Sequence, residues 1–225
     1  MSTVESFLAG NGLPSRVAYR VCRAVVTTVV RLYTRMRIEG REHVPTSGAF
    51  VLAPVHRSYI DTPIAGCVTT RRLRFMGKDA VWKHRPVGWV ASALGAFPVT
   101  RGTADREALK RGVAVLESGE PLVLFPEGER KSGPTVHPLF DGAVYMAVKA
   151  GVPIVPVGIG GSERVLPKGV RFPRPRRVHV IVGRPIPPPV AEGGRMPRSA
   201  VREQSAALHA ELQRLFDEAE ARVGG

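Results

Sequence analysis

Residues 48–63 read GAFVLAPVHRSYIDTP. The first seven, Gly48–Pro54, are almost continuously apolar, the pattern of a short strand buried on both faces. Thr62 and Pro63 mark a helix start, with Thr62 at the N-cap and Pro63 at the first helical position. A buried strand feeding a loop and then a helix is one unit of an α/β layered domain. The same alternation continues outward. Strands are expected at Leu73–Met76, Ala96–Val99, Pro121–Phe125, Val152–Ile159 and Val178–Val182. Helices are expected at Val87–Leu94, Asp105–Ser118, Phe140–Ala150 and Ser199–Val223, the last with a stripe of Val201, Ser205, Leu208, Leu212, Leu215 and Ala219. Residues 186–197 are rich in Pro and Gly and read as a surface loop. Pro156 inside an otherwise apolar strand implies a site-facing irregularity or an edge.

The chain has 225 residues, 44% of them hydrophobic and 23% charged. That mixture excludes a disordered tail, a collagen-like fibre and a disulfide scaffold. The two cysteines, Cys22 and Cys67, lack metal-ligand spacing and fit a reducing compartment. There is no secretory signal pattern at the N-terminus and no apolar run of the roughly 18 residues that a membrane-spanning helix needs.

The 33 Lys and Arg outnumber the 19 Asp and Glu, for a net charge of +14. Such an excess calls for a polyanionic partner: nucleic acid, an anionic membrane or a phosphorylated substrate. Residues 16–37 carry six Arg and no acid, and residues 163–184 carry seven Lys or Arg against Glu163 alone. At helical period, Arg16, Arg20, Arg23, Thr27 and Arg31 share one face of 14–37, and Val17, Val21, Val25, Val29, Leu32 and Met36 the other. This basic amphipathic helix suits the plane of a membrane interface. Packing on its own domain is the plain alternative, and no nucleic-acid partner is expected, since no zinc-finger or ribonucleoprotein motif is present. The division expected is a 1–40 amphipathic helix for membrane docking and a 41–225 catalytic domain.

Chemistry concentrates in four blocks. In His56-Arg57-Ser58-Tyr59-Ile60-Asp61, five-residue spacing on a helix would set the two end residues about 140° apart. The pair therefore spans a loop in which Asp61 folds back, fixes the His56 tautomer and leaves the other ring nitrogen as a base. Phe125-Pro126-Glu127-Gly128-Glu129-Arg130 follows the most apolar strand, where α/β sheets place their sites. Residues 95–102, GAFPVTRG, put Arg101 past another strand end, and residues 152–158 read VPIVPVG.

These four blocks, in this order over 48–158, resemble the PlsC-type glycerolipid acyltransferases. The resemblance implies a glycerol-3-phosphate acyltransferase-like α/β fold: a mixed, largely parallel sheet covered by helices, with an N-terminal amphipathic helical attachment. It implies direct transfer of a fatty acyl group, without metal or cofactor, from acyl-CoA or acyl carrier protein to the free hydroxyl of 1-acylglycerol 3-phosphate. His56 is then the base and Asp61 its orienting carboxylate. Arg101 and Arg130 hold the acceptor phosphate, and Glu127 and Gly128 shape the acceptor pocket. The product is phosphatidate, and the location a peripheral one at the cytoplasmic face of the cell membrane. One departure stands out: Glu129 occupies a position that is commonly Thr in the family. It keeps other acceptors open: glycerol 3-phosphate, another lysophospholipid or a glycolipid. A non-catalytic lipid- or nucleic-acid-binding module is the alternative of a different class.

Overall fold

The computed structural model describes residues 13–99, 106–167, 169–189 and 197–224. Seven strands form one sheet: β1 (Arg37–Glu39), β2 (Val51–Pro54), β3 (Arg74–Lys78), β4 (Ala96–Val99), β5 (Leu122–Val123), β6 (Ile154–Gly160) and β7 (His179–Val182). Their order across the sheet is β1-β7-β6-β2-β5-β3-β4. All neighbours run parallel except β6 and β7. The helices are α1 (Leu13–Thr34), α2 (Asp61–Val68), α3 (Arg85–Ala93), α4 (Arg106–Glu117), α5 (Gly142–Ala150), the one-turn α6 (Ser162–Val165) and α7 (Arg198–Gly224). The expected fold class is the one observed.

Every residue of β2, β5, β6 and β7 is buried, as strands covered on both faces must be. Helices α1, α2 and α3 pack together, as do α4, α5 and α7. Gly151, at φ +65°, closes α5, the left-handed cap that glycine adopts without penalty. Helix α7 lies directly on β6: a Cβ at Gly158 would run into the Leu215 carbonyl. Its buried stripe is Leu208, Leu212, Leu215, Phe216 and Ala219.

Three details differ from the expectations. Strand β6 is neither an edge nor broken at Pro156. The Pro156 carbonyl accepts from the Gly183 amide (2.9 Å), just past the end of β7. A residue's N–H and C=O point to the same side of a strand, so the missing donor falls where the β6–β7 ladder ends. Helix α2 begins at Asp61 with no side-chain cap, rather than after a Thr62 cap. Strand β1, unforeseen because Arg-Ile-Glu has no strand pattern, lies within the 1–40 segment and pairs with β7.

Helix α1 has three faces rather than two. Tyr19, Thr27 and Thr34 are buried, and Tyr19 exchanges hydrogen bonds with the Arg71 carbonyl and the Leu73 amide (3.3 Å each). Arg23 donates to the Thr69 carbonyl, so part of the polar side faces the domain. The stripe of Val17, Val21, Val25, Val29 and Leu32 is exposed, with Leu32 at 75%. Arg16, Arg20 and Arg31 are also exposed. No helix among the described residues is long and apolar enough to cross a membrane.

Candidate active site

Parallel strands β2 and β5 lie side by side, so the loops that leave their carboxyl ends meet. His56 comes from the first and Glu127 from the second. The His56 Nδ1 lies 3.1 Å from Asp61 Oδ2. The same carboxylate oxygen accepts the amides of Arg57 and Ser58, both at 2.6 Å. Asp61 therefore ties together the loop ahead of its own helix. It is fully buried, whereas the His56 side chain is 12% exposed. The imidazole stacks on Phe125, ring centroids 4.0 Å apart. Its Nε2 makes no hydrogen bond among the described residues.

Beneath this pair sits an ion pair that the sequence did not reveal. Arg57 is almost wholly buried, and its Nη1 lies 2.7 Å and 2.9 Å from the two carboxylate oxygens of Glu127. Glu127 also accepts the His56 amide (3.1 Å) and the His137 amide (3.0 Å). Arg57 donates further to the carbonyls of His56, Gly133 and Thr135. Its guanidinium lies over the Phe216 ring of α7, 4.8 Å from the centroid. A charge taken this far from water persists only when paired and fully hydrogen-bonded, and both conditions are met.

Arg130 lies over Tyr59, its guanidinium carbon 3.3 Å from the ring centroid. Its Nη1 is buried without a hydrogen-bond partner. The loop after β5 thus places a cationic donor without a hydrogen-bond partner against the segment that carries His56. Glu129 pairs with Lys131 at 2.7 Å, so its charge is offset locally. Gly128, at φ +71°, turns the chain against Phe140, whose ring a Cβ there would strike. Arg101 lies outside the described residues.

A family model described as Acyltransferase matches residues 35–160, more than half of the chain. The chain belongs to the acyltransferase family. It is 25% identical over 169 residues to the 1-acyl-sn-glycerol-3-phosphate acyltransferase of Bacillus subtilis, covering 75% of this chain and 82% of that protein. It is 29% identical over 153 residues to the chloroplastic 1-acyl-sn-glycerol-3-phosphate acyltransferase BAT2 of Brassica napus, covering 66% of this chain but only 44% of the relative. The crystal structure of PlsC, the 1-acyl-sn-glycerophosphate acyltransferase of Thermotoga maritima, superposes with a TM-score of 0.76 at 25% identity, covering 96% of this chain and 86% of that one.

Within this acyltransferase the structure gives Glu127 a place that differs from the expected one. A carboxylate has about four lone-pair sites. The two backbone amides and the Arg57 guanidinium occupy them, and no surface remains for an acceptor. Glu127 holds the loops in register from behind. Helix α7 assists: Gln213 accepts the Val136 amide (2.7 Å) and donates to the Pro134 carbonyl (3.0 Å).

The sequence also gave no sign of an apolar cavity of about 500 Å³ between α1, α2 and α3. Its walls include Tyr19, Val26, Phe75, Val87, Val90 and Leu94. Thr62 and Pro63, which follow Asp61 in α2, line it too. Burial pushes the Tyr19 phenol above its usual range. The residues that form the cavity lie on separate elements, and no local pattern announces them. Trp82 donates to Ser92 Oγ (2.9 Å) and fills the space beside Gly77 and Gly88.

Proposed function

We propose that this acyltransferase moves a fatty acyl group from acyl-CoA or acyl carrier protein to the free hydroxyl of 1-acylglycerol 3-phosphate, giving phosphatidate at the cytoplasmic face of a membrane. The observation that carries this reading is the His56–Asp61 pair at 3.1 Å with Nε2 left open. In the reaction, Nε2 takes the hydroxyl proton as the oxygen attacks the thioester carbonyl. The new C–O bond forms, the C–S bond breaks, and the thiolate leaves with the proton from the imidazolium. Asp61 accepts from Nδ1–H, which keeps the tautomer and steadies the cation.

Arg130 receives the acceptor phosphate through its unpartnered nitrogen, and Arg101 joins it in this reading. The cavity beside Pro63 takes an acyl chain, since its lining offers apolar contact and almost nothing polar. The exposed valine stripe of α1 lies in the membrane interface, with Arg16, Arg20 and Arg31 beside it for lipid phosphates.

A panel of acceptors offered to the purified protein with a radiolabelled long-chain acyl-CoA tests this reading. Lysophosphatidate is expected to be acylated in preference to glycerol 3-phosphate and to a lysolipid without phosphate. Glu129 favours a second reading, in which a different lysolipid is the acceptor. Preferential acylation of an acceptor without a phosphate monoester would select it.

A further inference from the structure

Between Arg164 and Arg184 there is no acidic residue. Arg171, Arg174, Arg176 and Arg177 are all exposed. None of the four joins an ion pair among the described residues. Phe172, in their midst, is 75% exposed. Arg171 lies over the Phe172 ring, 6.0 Å from its centroid, but no carboxylate among the described residues balances the four charges. The segment is nevertheless held in place. The Arg174 amide donates to the Val165 carbonyl (2.7 Å) and the Val178 amide to Thr34 at the end of α1 (3.1 Å). Tyr33 of α1 donates its hydroxyl to the Pro173 carbonyl (2.7 Å). Ser58, two residues from His56, donates to the Leu166 carbonyl at the root of the segment (2.9 Å).

Topology sets where this segment stands. Strand β7 runs antiparallel to β6, and its first residue, His179, lies opposite Gly160 at the carboxyl end of β6. That is the end of the sheet from which His56 emerges. The segment thus lies between the active-site loop and the last turns of α1, where Val29 and Leu32 are exposed.

We infer that residues 169–177 form a second membrane contact, selective for anionic glycerophospholipid headgroups. Phe172 enters the interface and the four guanidiniums bind lipid phosphates. With the α1 stripe they define a plane, so the site end of the sheet faces the bilayer in which the lysolipid resides. The inference rests on the peripheral-membrane reading above. An acidic carrier protein would match the arginines, but it leaves unexplained the aliphatic stripe that continues from them. A lipid surface matches both.

Vesicle sedimentation of the full chain tests it, with phosphatidylcholine alone and with a quarter phosphatidylglycerol. The Arg171→Gln/Arg174→Gln/Arg176→Gln/Arg177→Gln variant is expected to lose about 100-fold or more of its partitioning to the anionic vesicles, since each basic group near such a surface contributes roughly fivefold. Its weaker binding to phosphatidylcholine and its acylation rate in detergent micelles should stay unchanged. Phe172→Ser should weaken binding to both vesicles. Wild-type binding to anionic vesicles by the fourfold variant would overturn the inference. So would intact vesicle binding with a selective loss of rate for carrier-protein-linked donors. If Val21→Asp/Val25→Asp abolishes binding while the fourfold variant keeps the anionic preference, the membrane reading stands and the segment's role is refuted. If the wild type binds neither vesicle, both fail.

Discussion

Arg57 Nη1 and Glu127 Oε1 lie 2.7 Å apart, both side chains essentially sealed from solvent. The arginine belongs to the loop of His56 and the glutamate to the loop of Arg130. Together with the His56 amide on Glu127 (3.1 Å) and the Lys131 amide on the His56 carbonyl (2.9 Å), this pair holds the proposed base near the proposed phosphate site. Removing one partner leaves a buried charge uncompensated, which costs about 3–5 kcal/mol. Glu127→Gln is expected to lose stability of that order in urea denaturation, and kcat should fall more than the acceptor KM rises. Unchanged stability with a large rise in acceptor KM would show that Glu127 touches the acceptor after all.

Arg130 offers a different signature. Hydrogen bonds to charged groups contribute about 1.5–3 kcal/mol, or roughly 10- to 100-fold. Arg130→Ala should therefore raise the KM for lysophosphatidate by that factor. It should leave the rate with a monoacylglycerol unaffected. Steady-state kinetics on the two acceptors check this, and an equal loss on both would remove the phosphate from the argument.

Helix α7 reaches the site only because β6 presents glycine to it. Gly158→Ala forces a methyl against the Leu215 backbone, and overpacking of this kind costs about 1–3 kcal/mol. A lowered Tm is expected, together with reduced activity, since Phe216 lies against Arg57 and Gln213 holds the backbone of Pro134 and Val136. A variant with unchanged Tm and rate would show that α7 docks independently of that contact.

The two cysteines should differ in reactivity. Burial pushes the Cys67 thiol above its usual range, and it donates to the Pro63 carbonyl (3.3 Å). The thiolate is the reactive form, so a raised pKa and lost access both slow alkylation. Timed iodoacetamide labelling with mass spectrometry at neutral pH should modify Cys22 well before Cys67 in the native protein. Equal rates should appear only after denaturation. Equal native rates would mean that α2 opens readily.

Much of the site was legible because its residues lie in two short local stretches. The fold-back of Asp61 onto His56 follows from five-residue spacing between a strand and a helix. The alternation of apolar strands with helices gave the layered sheet. What could not be read depends on long-range packing. Arg57 looks like any loop arginine until Glu127, 70 positions later in the chain, is placed beside it. The inward face of α1 mixes Tyr19, Thr27 and Thr34 with Val26 and Val30, while a separate aliphatic stripe points outward, against the usual rule for a packed helix. Strand β1 exists only because β7 offers an edge to Arg37–Glu39.

The central claim is that the open nitrogen of His56 removes the proton from the acceptor hydroxyl. Single-turnover acylation of lysophosphatidate by His56→Ala, followed by thiol release from acyl-CoA, addresses it most directly. A positioned general base contributes about 10²- to 10⁴-fold, so a loss of at least that size is expected with the fold and donor binding intact. A well-folded His56→Ala protein that acylates at the wild-type rate would contradict it.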